Sequence, residues 1–462
     1  MPTVNDIHSA LNETTVAEIA AVSSVEDVRH AIRGAAEAGL PVAIAAGRHA
    51  MGGQQFCSGG LLLDVHGLDD VVSLDRGSGT VVVQAGIEWP ALIDYLGERP
   101  GSGGVPWAIR QKQTGADRLS IGGALAANAH GRGLTFPPFV SDVESFTLVD
   151  PHGELVVCSR EENAELFSLV AGGYGLFGCV VELTMRLVPR RTLERVVEVR
   201  QIDDLFAMFD SRIADGFLYG DFQFATDPAS DDFLRRGVFS CYRPVEHDGP
   251  LPEGQRVLTR DDWKRLIVLA HTEKGRAFDL YAEHYLATSG QLYHSDAHQL
   301  ADYEDGYHVA LDAFLGSPHR ATEMISELYV PRDRLADFMA DVADDFRRNE
   351  VDAIYGTIRL IERDEESYLP WARESWGCVI FNLHTVHTDE GIAHSADAFR
   401  RLIDLAADRG GSYFLTYHRW ATREQVERCY PRFRAFVEEK LSHDPEERFQ
   451  SDWYRHHKQL FA

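Results

Sequence analysis

At 462 residues the chain exceeds what one hydrophobic core usually supports, so two domains are expected; 44% hydrophobic and 10% aromatic residues are ample for packed cores. A formal net charge of −27 argues against nucleic acid or anionic membrane as a partner, since both are met through a basic face. No apolar run approaches the ~20 residues of a membrane span, and the polar, acidic start at residues 1–18 is unlike a signal segment, so a cytoplasmic protein is expected.

Ser24 is a plausible N-cap for an amphipathic helix, with Asp27 at its third position. An apolar strand then runs from Pro41 into a glycine-rich turn ending at Gln54, and the turn carries Arg48 and His49. Gly47, Gly52 and Gly53 allow close approach of the backbone, so successive N–H groups can converge on phosphate oxygens while Arg48 adds positive charge. This spacing is neither Gly-x-Gly-x-x-Gly nor the Walker pattern, which lowers the weight of the ordinary nucleotide folds. "GLLLDVHGLDDVVSLD" and "GTVVVQAGIEWPALIDYL" read as strand, turn, strand and helix. Small residues dominate Gly115–Gly131, a surface able to admit a flat ligand, and Gly172–Pro189 is a glycine-rich turn opening into an alternating strand. Three such segments in one α/β region suggest an extended cofactor touching several loops.

Past Pro189 the character changes to longer acidic helices, such as Ala336–Arg347, and aromatic strands, such as Gly216–Phe224; this part is expected to cover the substrate. Arg243–Gln255 reads as an exposed excursion. Tyr355–Ile361 is an apolar strand interrupted by Arg359, a charge costly to bury without a partner. In Cys378–His387, period-two alternation puts Asn382 and His384 on one face; they either bind substrate hydroxyls or mark a strand leaving the core. The six cysteines are scattered without metal or disulfide spacing, and most are expected to be buried small hydrophobes. Twenty histidines include no His-Glu-x-x-His, so no metal site is expected, and the pair His456–His457 reads as solvated surface.

The ordered motifs "GRHAMGGQ", "SIGGALAANAHG" and "GGYGLFGCVVELTMRLVP" resemble the FAD-binding domain of the vanillyl-alcohol oxidase, or PCMH-type, flavoprotein family. "AHG" at Ala129–Gly131 and the segment Tyr430–His457 resemble its sugar-oxidising branch: alditol oxidases, aldonolactone oxidases and the flavin subunit of the decaprenylphosphoryl-ribose epimerase. The resemblance implies an α+β fold, with a two-subdomain FAD-binding domain at 1–190 and a cap with an antiparallel sheet and flanking helices at 191–425. A segment at 426–462 would return to the FAD domain. FAD would be held by Gly47, Arg48, His49, Ala50, Met51, Gly52, Gly53 and Gln54 in the first loop. Gly115, Ala116, Ser120, Gly122, Gly123, Ala127, His130 and Gly131 would serve in the second, with Gly178 and Val180 in the third.

In several members a histidine at the place of His49 is bonded to the flavin 8α-methyl, so a covalent histidyl-FAD is expected; the alternative is a hydrogen bond to the diphosphate or flavin edge. The resemblance makes Arg359 a stabiliser of negative charge on reduced flavin or substrate oxygen, with Thr357 where alditol oxidases carry glutamate. Tyr417 and His418 stand where the epimerase subunit has Lys-Asp, so its lysine chemistry cannot be inherited; Tyr417 can relay a substrate proton that His418 accepts. His130 is expected beside the flavin or substrate. The implied reaction is hydride transfer to flavin N5 from an alcohol carbon of a sugar, polyol, sugar lactone or sugar-bearing natural product, with O2 or another acceptor completing the cycle. Two other functions stay open. One is oxidation of a phenol or amine, favoured if Trp371, Trp376, Tyr413 and Trp420 line the pocket; the other is a non-catalytic flavin-binding partner subunit.

Overall fold

The computed structural model describes residues 1–98, 106–247, 249–301 and 306–462. Ser24 caps the helix Val25–Glu37 by accepting a hydrogen bond from the Asp27 N–H, as its sequence predicts. Val28, Ile32 and Ala35 form that helix's buried stripe and pack on a parallel sheet ordered Glu18–Ala21, Leu61–Asp64, Val42–Ala45. The edge strand of this sheet is covered by the C-terminal segment: the Val42 N–H donates to Arg448 O at 2.7 Å and Gln450 N–H donates to Val42 O at 2.9 Å. The glycine-rich turn leaves from the end of this same strand.

A second, antiparallel sheet runs Leu155–Ser159, Val143–Val149, Cys179–Arg186, Thr80–Gln84, Val71–Asp75. The largest sheet is antiparallel throughout and has eight strands, ordered Leu292–His294, Thr192–Gln201, Arg236–Val245, Tyr219–Phe224, Ala353–Ile361, Trp376–Val386, Ala321–Pro331, Ser412–Tyr413. The whole is α+β. Two amphipathic helices, Leu335–Arg348 and Asp389–Ala407, cover one face of the large sheet; Phe338, Met339, Val342 and Phe346 repeat at helical spacing and are buried there. The strand side chains on the other face border a cavity, and the helices Arg260–Thr272, Lys274–Leu286 and Tyr307–Leu315 stand against that part of the molecule.

Two sequence readings change. The expected excursion from Arg243 starts later, because the strand Arg236–Val245 runs on through Val245, held by Thr192–Gln201; Asp248 lies outside the described residues. His457 is not solvated: it is 1% exposed, with its ring 4.2 Å from that of Trp453, and burial lowers its pKa to about 3. Its helix, Asp452–Leu460, also carries Trp453, which is fully buried against Tyr174 of the third glycine-rich segment. Trp453→Ala should therefore cost about 3–5 kcal/mol of stability, the usual range for emptying a large aromatic site. Urea unfolding with an unchanged m-value would measure it, and a loss below about 1 kcal/mol would show that this contact does not hold the C-terminal helix.

Candidate functional site

The three glycine-rich segments meet at a cavity of about 650 Å³. From the first loop, Gly47, Arg48, His49, Ala50, Met51 and Gln54 border it; from the second, Gly115, Ala116, Ser120, Gly122, Gly123, Ala127 and His130; from the third, Gly178 and Val180. Close packing explains the glycines. A Cβ on Gly47 would lie 2.6 Å from Arg118 O and 2.7 Å from His49 Cδ2, so only glycine lets the imidazole lie over that backbone. Ser120 accepts from the Gly123 N–H and so caps the short helix Ile121–Ala127, whose small side chains leave a smooth wall.

Three expected contacts fall elsewhere. Gly52 and Gly53 shape the turn behind the wall, where the Gly52 N–H donates to Thr416 O at 3.0 Å, and Gly53 adopts φ +79° beside Asn12. Gly131 faces away; a Cβ there would meet Lys112 O at 2.5 Å. Arg48 borders the cavity but its Nη2 lies 3.3 Å from Asp64 Oδ2, so its charge is shared with that carboxylate. His8, which no motif marks, reaches the first loop: its Nε2 is 2.8 Å from His49 Nδ1. Asp6 holds it there by accepting the N–H groups of His8 and Ser9 and the hydroxyl of Ser9. Burial, with a smaller contribution from His308, lowers the His8 pKa to about 4, so its ring is neutral at ordinary pH.

Opposite the loops stands the polar face of the eight-stranded sheet. Register places Thr357, Ile380 and Glu327 in one row across three strands and Arg359, Cys378 and Tyr329 in the next. Glu327 is 2% exposed. Its Oε1 lies 2.7 Å from His130 Nε2 and accepts from the Tyr329 hydroxyl, while Oε2 accepts from the Tyr417 hydroxyl at 3.3 Å. His130 Nδ1 faces the Gly131 carbonyl at 3.0 Å, which only accepts, so Nδ1 carries hydrogen and one proton bridges Nε2 and Oε1. Burial pushes the Glu327 carboxyl up, but the His130 charge, hydrogen bonds from His130 and Tyr329, and Arg359 outweigh it and hold the group below its ordinary value. Burial and the nearby Glu327 charge push the Tyr417 phenol well above its ordinary value, so it stays protonated. Arg359 is 7% exposed, borders the cavity, and its Nε makes no hydrogen bond among the described residues.

The remaining expected residues separate. Asn382 borders the cavity one row further along, level with Ile325 and Tyr355. His384 lies beyond it, with Nδ1 3.5 Å from Glu323 Oε1. His418 cannot serve Tyr417: it is buried in an aromatic stack, 4.6 Å from the ring of Phe399 and 5.4 Å from that of Trp420, and burial lowers its pKa to about 3. The acceptor for Tyr417 is Glu327, 90 residues away in sequence and invisible to any local motif. Trp371, Trp376, Tyr413 and Trp420 are packing residues and do not border the cavity; other aromatic residues do, among them Trp263, Tyr281, Tyr285 and Tyr293.

The cavity suits a flavin dinucleotide. Its loop wall is built of glycine and alanine, and Gln54 Oε1, Gln55 Oε1 and Thr114 Oγ1 are buried wall atoms that no described protein group satisfies. Residues 16–159 match the family described as FAD binding domain. The chain is 24% identical to L-gulono-1,4-lactone dehydrogenase of Mycobacterium tuberculosis over 400 residues, covering 86% of each chain. It is 34% identical over 138 residues to L-galactono-1,4-lactone dehydrogenase 2, mitochondrial, of Oryza sativa subsp. japonica, a stretch covering 30% of this chain and 22% of the relative. With the putative D-arabinono-1,4-lactone oxidase of Neurospora crassa the identity is 28% over 141 residues, 30% of this chain and 23% of the relative. The chain thus carries a PCMH-type FAD-binding domain and is an FAD-dependent oxidoreductase whose named relatives belong to the sugar-oxidising branch.

Proposed function

We propose that the protein oxidises an alcohol group of a sugar lactone or closely related sugar derivative. The observation that carries this reading is the buried Glu327 carboxylate, bridged to His130 and to Tyr417 and set beside Arg359 on the sheet face opposite the glycine loops. Bound FAD supplies the hydride acceptor. Tyr417, kept protonated, takes the substrate hydroxyl proton as it passes its own to Glu327 Oε2, so the alcohol oxygen loses its proton without a free anion forming in the cavity. Arg359 offsets the negative charge that builds up as hydride leaves the substrate. Asn382 and Gln223, on the same sheet face, supply hydrogen bonds to further hydroxyls. Tyr281, Tyr285 and Tyr293, which border the cavity, offer flat apolar faces to a sugar ring. O2 or another acceptor completes the cycle. The phenol or amine reading loses its support, because the four aromatic residues it needed lie in packing positions.

The same proposal takes residues 1–190 as a two-subdomain FAD-binding unit, 191–425 as the cap, and 426–462 as the segment returning to the first. It assigns His49 as the covalent link to the flavin 8α-methyl. That bond replaces one methyl hydrogen and the imidazole proton, with two electrons leaving to O2 or another acceptor. His8, neutral and beside Nδ1, fixes the ring in place.

Acid precipitation should leave flavin with the wild-type pellet and release it from His49→Ala; release from both would make the contact noncovalent. Arg359→Ala should keep its flavin but slow anaerobic flavin reduction by L-gulono-1,4-lactone or L-galactono-1,4-lactone about 10²–10³-fold; an unchanged rate removes the assigned role. Because the Glu327 pKa is depressed, the reactive carboxylate is present above that value and lost as pH falls through it. Reduction by substrate should therefore persist as pH falls to about 4.3, the ordinary glutamate value, and decline only below it. Glu327→Gln should lose about 10²–10⁴-fold in rate and that acid limb together.

A further inference from the structure

Glu323 lies four residues before Glu327 on the same strand, about 13 Å away at ~3.3 Å per residue, and it too is buried under imidazoles. His271 Nε2 is 2.9 Å from Glu323 Oε1, and His384 Nδ1 is 3.5 Å from the same oxygen. The other oxygen, Oε2, is held by His308 Nδ1 at 2.9 Å and by the Tyr307 hydroxyl. These side chains come from the helices Arg260–Thr272 and Tyr307–Leu315 and the strands Ala321–Pro331 and Trp376–Val386, so only the tertiary fold assembles them.

We propose that His271 Nε2, Glu323 Oε1 and His384 Nδ1 bind a first-row divalent transition metal ion of the Zn2+ class at the edge of the cavity. The tautomer of His271 is the first argument. Its Nδ1 lies 2.8 Å from the Ile267 carbonyl, an acceptor only, so Nδ1 carries the hydrogen and Nε2 is the nitrogen turned toward Glu323 Oε1, where in the neutral ring it presents a lone pair. Lone pair against carboxylate oxygen is repulsive unless a proton or a cation lies between them. Protons on the imidazoles would meet the carboxylate as ion pairs, as at Glu327, but each would answer one ring only, since His271 Nε2 and His384 Nδ1 converge on the same Glu323 oxygen. One metal ion serves both rings and the carboxylate.

Geometry is the second argument. Bonds of about 2.0–2.1 Å in a tetrahedron set ligand atoms about 3.3 Å apart; the two measured separations of 2.9 and 3.5 Å bracket this, and all three ligand atoms lie within 4.8 Å of one another. The surroundings match those of bound metals: the backbone carbonyl of Ile267 orients one imidazole, and His308 with Tyr307 orients the carboxylate through its outer oxygen. Two imidazoles and one carboxylate suit zinc, iron, cobalt or nickel and leave coordination positions open to oxygen donors. Glu323, Tyr307 and Asn382 border the cavity, so the open positions serve a molecule held there or water. The second carboxylate cluster does not compete. Glu327 is bridged to His130, and burial, reinforced by Glu327, pushes the Cys378 thiol well above its ordinary value, so sulfur stays protonated.

The test is calorimetric titration of the EDTA-treated flavoprotein with Zn2+, wild type against His271→Ala and His384→Ala. One ion per chain should bind wild type and at least tenfold more weakly to each variant, with flavin content and melting temperature recording that the variants fold. Zn2+ should also raise the wild-type melting temperature, as any ligand of the native state does. Failure of wild type to bind one equivalent, or equal affinity in both variants, overturns the site. Should either variant fail to fold, the absence of a Zn2+-dependent rise in wild-type melting temperature overturns it equally. Flavin reduction by sugar lactone is read separately, so loss of the metal site leaves the proposed reaction standing.

Discussion

Removing a carboxylate from water is costly unless its partners come with it, and the arrangement of this molecule follows from where Glu327 is buried. Taking away one member of a buried charged pair typically costs about 3–5 kcal/mol. His130, Tyr329 and Tyr417 reach Glu327 from the second glycine-rich segment, the same strand and the turn after Ser412–Tyr413. One charge therefore ties the large sheet to the glycine-rich loops. The constraint also fixes register: sliding the Ala321–Pro331 strand by one residue would turn Glu323 and Glu327 into the helices on the opposite face and expose Leu328 to the cavity.

The two walls of the cavity are made by opposite means. The loop wall is shaped by what is missing: at Gly47 and Gly122 a Cβ would strike backbone or Ala85, so small residues there set how closely a flat ligand can approach. The sheet wall is shaped by what is present, a grid of Asp221, Gln223, Thr357, Arg359, Asn382 and Glu327 at alternating positions. Apolar residues between them, such as Phe222, Ile358, Phe381 and Leu328, bury against the other layer. Such a sheet can place charges with the precision of its hydrogen-bond ladder while its hydrophobic face contributes the stability that those charges do not.

Local chemistry was legible wherever contact partners are close in sequence. The Ser24 cap, the helix stripe Val28–Ile32–Ala35, the glycine-rich turns and the period-two strands around Arg359 and Asn382 all depend on neighbours within a few residues. Readings failed where distant partners decide. His457 looked solvated because its neighbours are polar, yet Trp453 one turn earlier carries it into the core. His418 looked like a base beside Tyr417, but the chain turns there and carries the His418 ring away from Tyr417 into a stack on Phe399. His8 sits in a short polar segment with no motif at all, and reaches His49 only because Asp6 folds that segment back on itself.

The sequence by itself determined the glycine-rich loops, the α+β class and a cationic strand position at Arg359, because glycine spacing, hydrophobic period and an isolated charge are properties of short stretches. It gave no sign of Glu327 or Glu323. Each is one acidic residue in an apolar strand, and its meaning comes from imidazoles drawn from as far away as positions 130, 271 and 384. Only tertiary structure decides those meetings, since the energy of a buried charge depends on the three-dimensional neighbours that replace its water and not on the residues beside it in the chain.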